Sequence, residues 1–336
     1  MEVLARSYAP AELVLVCGLA AGLLVVLLLG FGLMRLAGSR PVLARVSSWL
    51  LVCLGFGVYT QLCAAEPPGV RMLLIIGVVL FSMKAVVAVE EVIAGGLRLS
   101  AVEWVAWSGC WPGMDPRLFS AAAMREAPSS GVLSAGAFFW RGVLRLVLGA
   151  ALLSGAHLAY RWTGSLVLAT ASALPGISLI LHFGVFNLIC AFWRWRGVPV
   201  WPLFPAPLSA HTLGEFWGKR WNLPFTEMIQ RAVYRPLSAV VGRRAAALAG
   251  FGFSGLLHEC AISVPVQRGY GLPLLYFLLH GGLVVLERST GLRAVLPQHP
   301  VYARVWTILW LALPMVVLFH PSFLRGIVWP LAGIAG

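Results

Sequence analysis

Eight stretches of this chain are apolar for long enough to cross a bilayer, and no other feature restricts its fold as strongly. A spanning helix needs roughly 20 mostly apolar residues. The runs are 13–34, 46–64, 70–89, 142–160, 165–191, 246–266, 271–286 and 301–320, and a shorter ninth at 327–336 is expected to half-insert. Lipid offers backbone N–H and C=O groups no partners, so such runs must close their hydrogen bonds internally as helices. The expected fold is therefore all-α: a polytopic transmembrane protein of about 8–9 spans, with interfacial helices and long cytoplasmic loops. Only 11% of the residues are charged, against about 25% in soluble domains. That is too few to clothe a water-facing surface. No internal repeat or linker divides the chain, so residues 1–336 read as one integral membrane domain. The first run is too long for the apolar core of a signal peptide and reads as the first span.

The formal charge is +13, a balance that in a soluble chain would suggest nucleic acid. With the N-terminus outside and the runs alternating, 19 of the 25 basic residues fall on inner segments, as the positive-inside rule requires. The charge is thus accounted for by topology, and no nucleic-acid partner is expected. Arginine over lysine, with abundant alanine and glycine, points to a bacterial cytoplasmic membrane.

Two inner segments are too long to be turns. In 90–140, Trp104, Trp107 and Trp111 recur at spacings of three and four, which predicts an interfacial helix with its aromatics at headgroup depth. The second, 192–244, is broken by prolines, rich in aromatics and the most basic part of the chain; long structured loops of this kind are usually functional. Lys84, near the inner end of the third run, is expected to snorkel to the interface. His157, His182, His280 and His320 read as hydrogen-bonded interior residues. The six cysteines form no C-x-x-C pair, so neither a disulfide framework nor a metal site is expected.

Several chemistries are excluded. Asp115 is the only aspartate, which leaves no aspartate dyad. There is no Walker A loop, no H-E-x-x-H and no G-x-S-x-G. What stands out is a polar pair inside a span. His258 and Glu259 are about 13 residues into their helix, roughly 18 Å from its inner end at about 1.5 Å per residue. A carboxylate at that depth costs about 2.5–3.5 kcal/mol and must be paired, protonated or beside a water-filled cavity. Ser254 lies one turn before His258 on the same face. The preceding loop carries Trp217, Lys219, Arg220, Trp221 and Asn222 within six residues.

Phe216-Trp-Gly-Lys-Arg-Trp-Asn222, followed by Ser254-Gly-Leu-Leu-His258-Glu259 in an apolar helix, resembles the membrane-bound O-acyltransferase superfamily, and within it the wax-synthase-like branch. The resemblance is clearest over residues 201–287. It implies transfer of an acyl group from acyl-CoA, as co-substrate and not as a bound cofactor, to the hydroxyl of a lipid or other alcohol. The family's intramembrane histidine falls on His258, which would be the general base, and its loop asparagine on Asn222, making this a catalytic loop. Asn222 would orient the thioester or donate to the developing oxyanion. Trp217, Lys219, Arg220, Trp221, Ser254 and Glu259 become candidates for contact with acyl-CoA or the tunnel. Two other readings use the same residues: a b-type haem or quinone oxidoreductase built on His182, His258 and His280, and a transporter coupled through Glu259 and Lys84.

Overall fold

The structure is a computed structural model that describes residues 2–126 and 130–335. It contains eight helices long and apolar enough to cross a membrane: Leu13–Ala37, Pro41–Leu62, Pro68–Gly95, Ala135–Thr163, Leu166–Trp195, Leu223–Val266, Leu272–Ser289 and Pro300–Leu318. Each covers one of the runs expected from sequence, and no strand occurs among the described residues. Their outer faces keep large apolar side chains exposed, Leu28, Leu54, Leu73 and Val147 among them. Such a surface is unfavourable in water and suits lipid. The protein is an integral, multi-pass membrane protein.

The helices group into two compact units, residues 1–202 with 321–336, and residues 203–320. The first holds five spans, of which Pro68–Gly95 is the most buried. Its N-terminal span starts under a carboxylate: buried Glu66 accepts from the N–H groups of Ala11 (2.7 Å) and Glu12 (3.0 Å). A helix start leaves its first N–H groups without intrahelical partners, and an anion there is favoured by the helix dipole. The expected ninth element is present as short turns, Leu324–Val328 and Trp329–Leu331. Trp329 donates to Thr170 Oγ1 (2.9 Å), and Tyr8 donates to the Ile327 carbonyl (3.0 Å).

Lys84 departs from expectation. It does not snorkel: its side chain is fully buried, and Nζ donates to the carbonyls of Trp107 (3.0 Å), Trp111 (2.8 Å) and Gly113 (2.9 Å). Its ammonium also sits 4.2 Å from the centre of the Trp107 ring. The local cause is the Pro112–Asp115 segment, which ends the Ala101–Cys110 helix and turns carbonyls inward that no helix satisfies. Three carbonyls and three ammonium protons match in number. The Trp face of that helix is corrected in the same way. Trp104, Trp107 and Trp111 are buried in protein, with Trp104 donating to the Leu27 carbonyl (3.1 Å), while Val102 (79% exposed) and Val105 face outward. Periodicity identified the amphipathic stripe, but the neighbouring spans bury the aromatic side and leave the aliphatic side for lipid.

The second unit holds the last three spans. Leu223–Val266 and Leu272–Ser289 form a hairpin whose turn uses Gln267, Gly269 and Gly271 at positive φ. They approach closely where side chains vanish: a Cβ on Gly255 would lie 2.8 Å from Leu274 Cδ1, and one on Gly281 would lie 2.9 Å from Phe251 Cβ. Gly242, with φ 81° and ψ 163°, breaks the longer helix, so its apolar stretch effectively begins at Arg243.

Replacing Lys84 by Met would remove the ammonium from the Trp107 and Trp111 carbonyls and leave the Gly113 carbonyl with only the Trp107 indole N–H at 3.1 Å. Hydrogen bonds to a charged group are worth about 1.5–3 kcal/mol each. The expected loss is therefore at least about 3 kcal/mol, seen as a lower Tm and poor recovery of monodisperse protein in detergent. Arginine should not rescue it, because its planar fork cannot point at three converging acceptors.

Candidate active site

The second unit encloses a cavity of about 700 Å³, within the range of small-molecule sites. Residues from both sides of the family-like segment line it: Trp217, Trp221, Asn222 and Phe225 from the loop, and Ser254, His258 and Phe277 from the hairpin. Two motifs separated by some 35 residues in sequence thus face one space.

The loop wall is built from short helical turns. Thr212 Oγ1 accepts from Glu215 N (2.9 Å), and Glu215 Oε2 accepts from His211 N (2.9 Å), a reciprocal cap over Leu213–Glu215. The next N–H groups are taken from another helix. Buried Glu287 accepts from Leu213 N (2.8 Å) and Gly214 N (3.0 Å), and Trp306 Nε1 completes its shell at 3.0 Å. Residues Phe216–Arg220 then form a wide π turn, closed by Trp221 N to the Phe216 carbonyl (2.8 Å). Such turns are recurrent at functional sites because they redirect side chains within a helical path. Burial pushes the Glu215 carboxyl up, but the hydrogen bonds from His211 N–H and Arg220 outweigh it and hold the group below its ordinary value.

Asn222 follows at φ 48°, ψ 59°, the left-handed region. Its carbonyl accepts from Phe225 N (3.0 Å) and begins the next helix, while its amide makes no cap hydrogen bond and lines the cavity. Asparagine is one of the few residues with a side chain that tolerate this conformation, so the position asks for Asn on backbone grounds as well as chemical ones.

His258 Nδ1 lies 2.7 Å from the carbonyl of Ser254. A carbonyl only accepts, so Nδ1 carries the proton and Nε2 of the neutral ring keeps its lone pair. The ring packs against Phe277 (4.1 Å between centroids) and Phe225 (5.2 Å). Glu259 is turned elsewhere: Oε1 accepts from Leu274 N (3.1 Å) at the start of the next span.

Of the candidate residues, the structure brings Asn222, Trp217, Trp221, Ser254 and His258 together around the cavity. Lys219, Arg220 and Glu259 lie outside its lining; Arg220 is engaged by Glu215 at 2.6 Å. The cations at the cavity are instead Arg243, Arg244 and Arg288, all solvent-exposed. The sequence places Arg243 and Arg244 in the basic inner loop and Arg288 on the next inner segment, but neither these nor Glu287 and Phe277 were among the site residues expected from it. An acidic residue closing the seventh apolar run, followed directly by an arginine, was the available signal.

Residues 200–279 match the model of the membrane bound O-acyl transferase family. The chain is 31% identical over 142 residues to a probable long-chain-alcohol O-fatty-acyltransferase 7 of Arabidopsis thaliana, covering 38% of this chain and 42% of that protein. It is 30% identical over 100 residues to the long-chain-alcohol O-fatty-acyltransferase of Simmondsia chinensis, covering 27% and 28%. A third relative, acyl-CoA–sterol O-acyltransferase 1 of Arabidopsis thaliana, is 29% identical over 136 residues, covering 37% and 39%. The chain thus spans less than half the length of these relatives.

The left-handed backbone at Asn222 makes a clean separation of conformation from chemistry. Asn222→Gly keeps that backbone and should melt like the wild type. Asn222→Ala carries a penalty of roughly 1–2 kcal/mol and should lower the Tm by a few degrees in a thermal melt.

Proposed function

Because residues 200–279 match the membrane bound O-acyl transferase family, we propose that the protein is an acyltransferase of the wax-synthase-like kind, which transfers an acyl group from acyl-CoA to the hydroxyl of a lipid or other alcohol. One observation carries the reading: the 2.7 Å contact between His258 Nδ1 and the Ser254 carbonyl. The Nδ1–H is committed to the Ser254 carbonyl, so the nitrogen left on this cavity-lining ring is a proton acceptor.

In this reading His258 Nε2 takes the proton of the acceptor hydroxyl as its oxygen attacks the thioester carbonyl carbon. The carbonyl becomes an oxyanion, to which the Asn222 amide donates, or whose thioester it orients beforehand. Collapse expels the CoA thiolate, which recovers the proton from the imidazolium, and the ester leaves. No nucleophilic serine or cysteine and no metal are needed for this direct transfer. The aromatic walls keep water away from the thioester and favour transfer over hydrolysis.

Charge at the cavity supports a polyanionic donor. Arg243, Arg244 and Arg288 lie where phosphates arriving from solvent would meet them, and the apolar hairpin faces lie where an acyl chain would pass. The excess of arginine on alternate segments supports a cytoplasmic position for this loop and an outside N-terminus, and the usage of arginine over lysine with abundant alanine and glycine supports a bacterial cytoplasmic membrane.

Membranes carrying the protein should esterify a long-chain alcohol with labelled acyl-CoA. His258→Ala should lower this rate by about 10²–10⁴-fold at unchanged membrane expression; an intact rate in that variant refutes the assignment. Asn222→Gly should be folded and slowed. Neutralising Arg243, Arg244 and Arg288 together to Gln should raise the KM for acyl-CoA by about tenfold or more with a smaller change in kcat, the pattern of lost ground-state binding.

A further inference from the structure

His280 is fully buried on the seventh span and belongs to no part of the transfer chemistry above. Its Nδ1 accepts from the indole N–H of Trp217 at 3.2 Å, across 63 residues of sequence. An indole nitrogen only donates, so Nδ1 carries a lone pair and the ring proton resides on Nε2. That nitrogen is buried with no hydrogen-bond partner. A buried donor without a partner costs about 1–3 kcal/mol; a leucine or phenylalanine would avoid that cost but could not hold the indole.

What the contact holds in place is specific. Trp217 lines the cavity, and its carbonyl is fixed separately by the Thr226 hydroxyl at 2.7 Å. With both ends tied, its ring lies against Phe277 at 5.4 Å between centroids. Phe277 in turn lies 4.1 Å from the ring of His258, which it contacts from the side of the seventh span. Tyr276 packs on the His280 ring at 4.4 Å and fixes the plane of the imidazole. A continuous series of ring contacts therefore runs from His280 through Trp217 and Phe277 to His258.

We infer that His280 is a positioning residue for acyl transfer: by accepting from Trp217 it fixes the indole that backs Phe277 and so sets the place of the His258 ring in the cavity. This assignment rests on the function proposed above. It concerns a histidine that acts through an aromatic wall and does not exchange a proton with substrate.

The test compares His280→Phe, which keeps ring volume and removes the acceptor, with His280→Asn, whose amide oxygen can take the place of Nδ1. His280→Phe should lower kcat on the order of ten- to a hundredfold, as misplacement of a reacting group does, with little change in the KM for acyl-CoA. His280→Asn should recover most of that loss. In a Trp217→Phe background, His280→Phe should have no further effect on kcat. A second reading needs no activity: with 5-fluorotryptophan incorporated, the ¹⁹F signal lost in Trp217→Phe should shift in His280→Phe and return towards its place in His280→Asn. Wild-type kcat in His280→Phe, or equal losses in the Phe and Asn variants, or a full additional loss in the Trp217→Phe background, overturns the assignment while leaving acyl transfer intact. A wild-type protein that forms no ester overturns the function beneath it instead.

Discussion

A carboxylate removed from water has to be re-solvated by protein donors, and Glu287 is re-solvated by the loop that it positions. Two backbone N–H groups at the start of Leu213–Glu215 and the Trp306 indole converge on it. Charge-assisted bonds of this type are about twice as strong as neutral ones, and removing one side would strand the other in an apolar interior. The loop therefore cannot leave the seventh span without exposing an unsolvated ion. From that anchor the π turn delivers Trp217 and Trp221 to the cavity, and Asn222 follows in the left-handed conformation that ends the turn.

The same device recurs with different neighbours. Glu66 receives the N–H groups that precede the first span, and Glu259 receives Leu274 N at the start of the seventh. Lys84 is the inverse case, a buried cation surrounded by carbonyls that no helix uses. In a chain with so few charged residues, these side chains sit where helices begin or break. That is where backbone groups lack partners, so the side chains and the interrupted backbone supply each other's hydrogen bonds. Glycines do the complementary work between spans, bringing the Leu223–Val266 and Leu272–Ser289 backbones close enough for Phe277 to meet His258.

The spans were legible because hydrocarbon imposes a length and a composition that local sequence cannot disguise. All eight runs became helices; most ends shift by a few residues, but the sixth helix begins at Leu223 and not near 246, because loop turns such as Leu223–Ile229 continue into the span. The pairing of Asn222 with His258 was legible only through the family resemblance; spacing alone does not say that a loop and a mid-span residue share a cavity. Faces and partners were harder. The Trp104, Trp107 and Trp111 stripe has the same periodicity whether it meets headgroups or protein, and Lys84 has the same stem whether it reaches for water or for carbonyls. Both questions turn on what other segments offer, which no window of sequence contains.

By itself, then, the sequence determined the membrane, the eight long apolar helices and the two motifs, because each follows from solvent chemistry or from residues close together in the chain. Only the tertiary structure decided which cations face the cavity, that Glu259 serves a helix start, and that His280 and Glu287 stand behind the site. Those outcomes depend on hydrogen-bond partners tens of residues away, and a polar group in an apolar medium goes wherever its partners are.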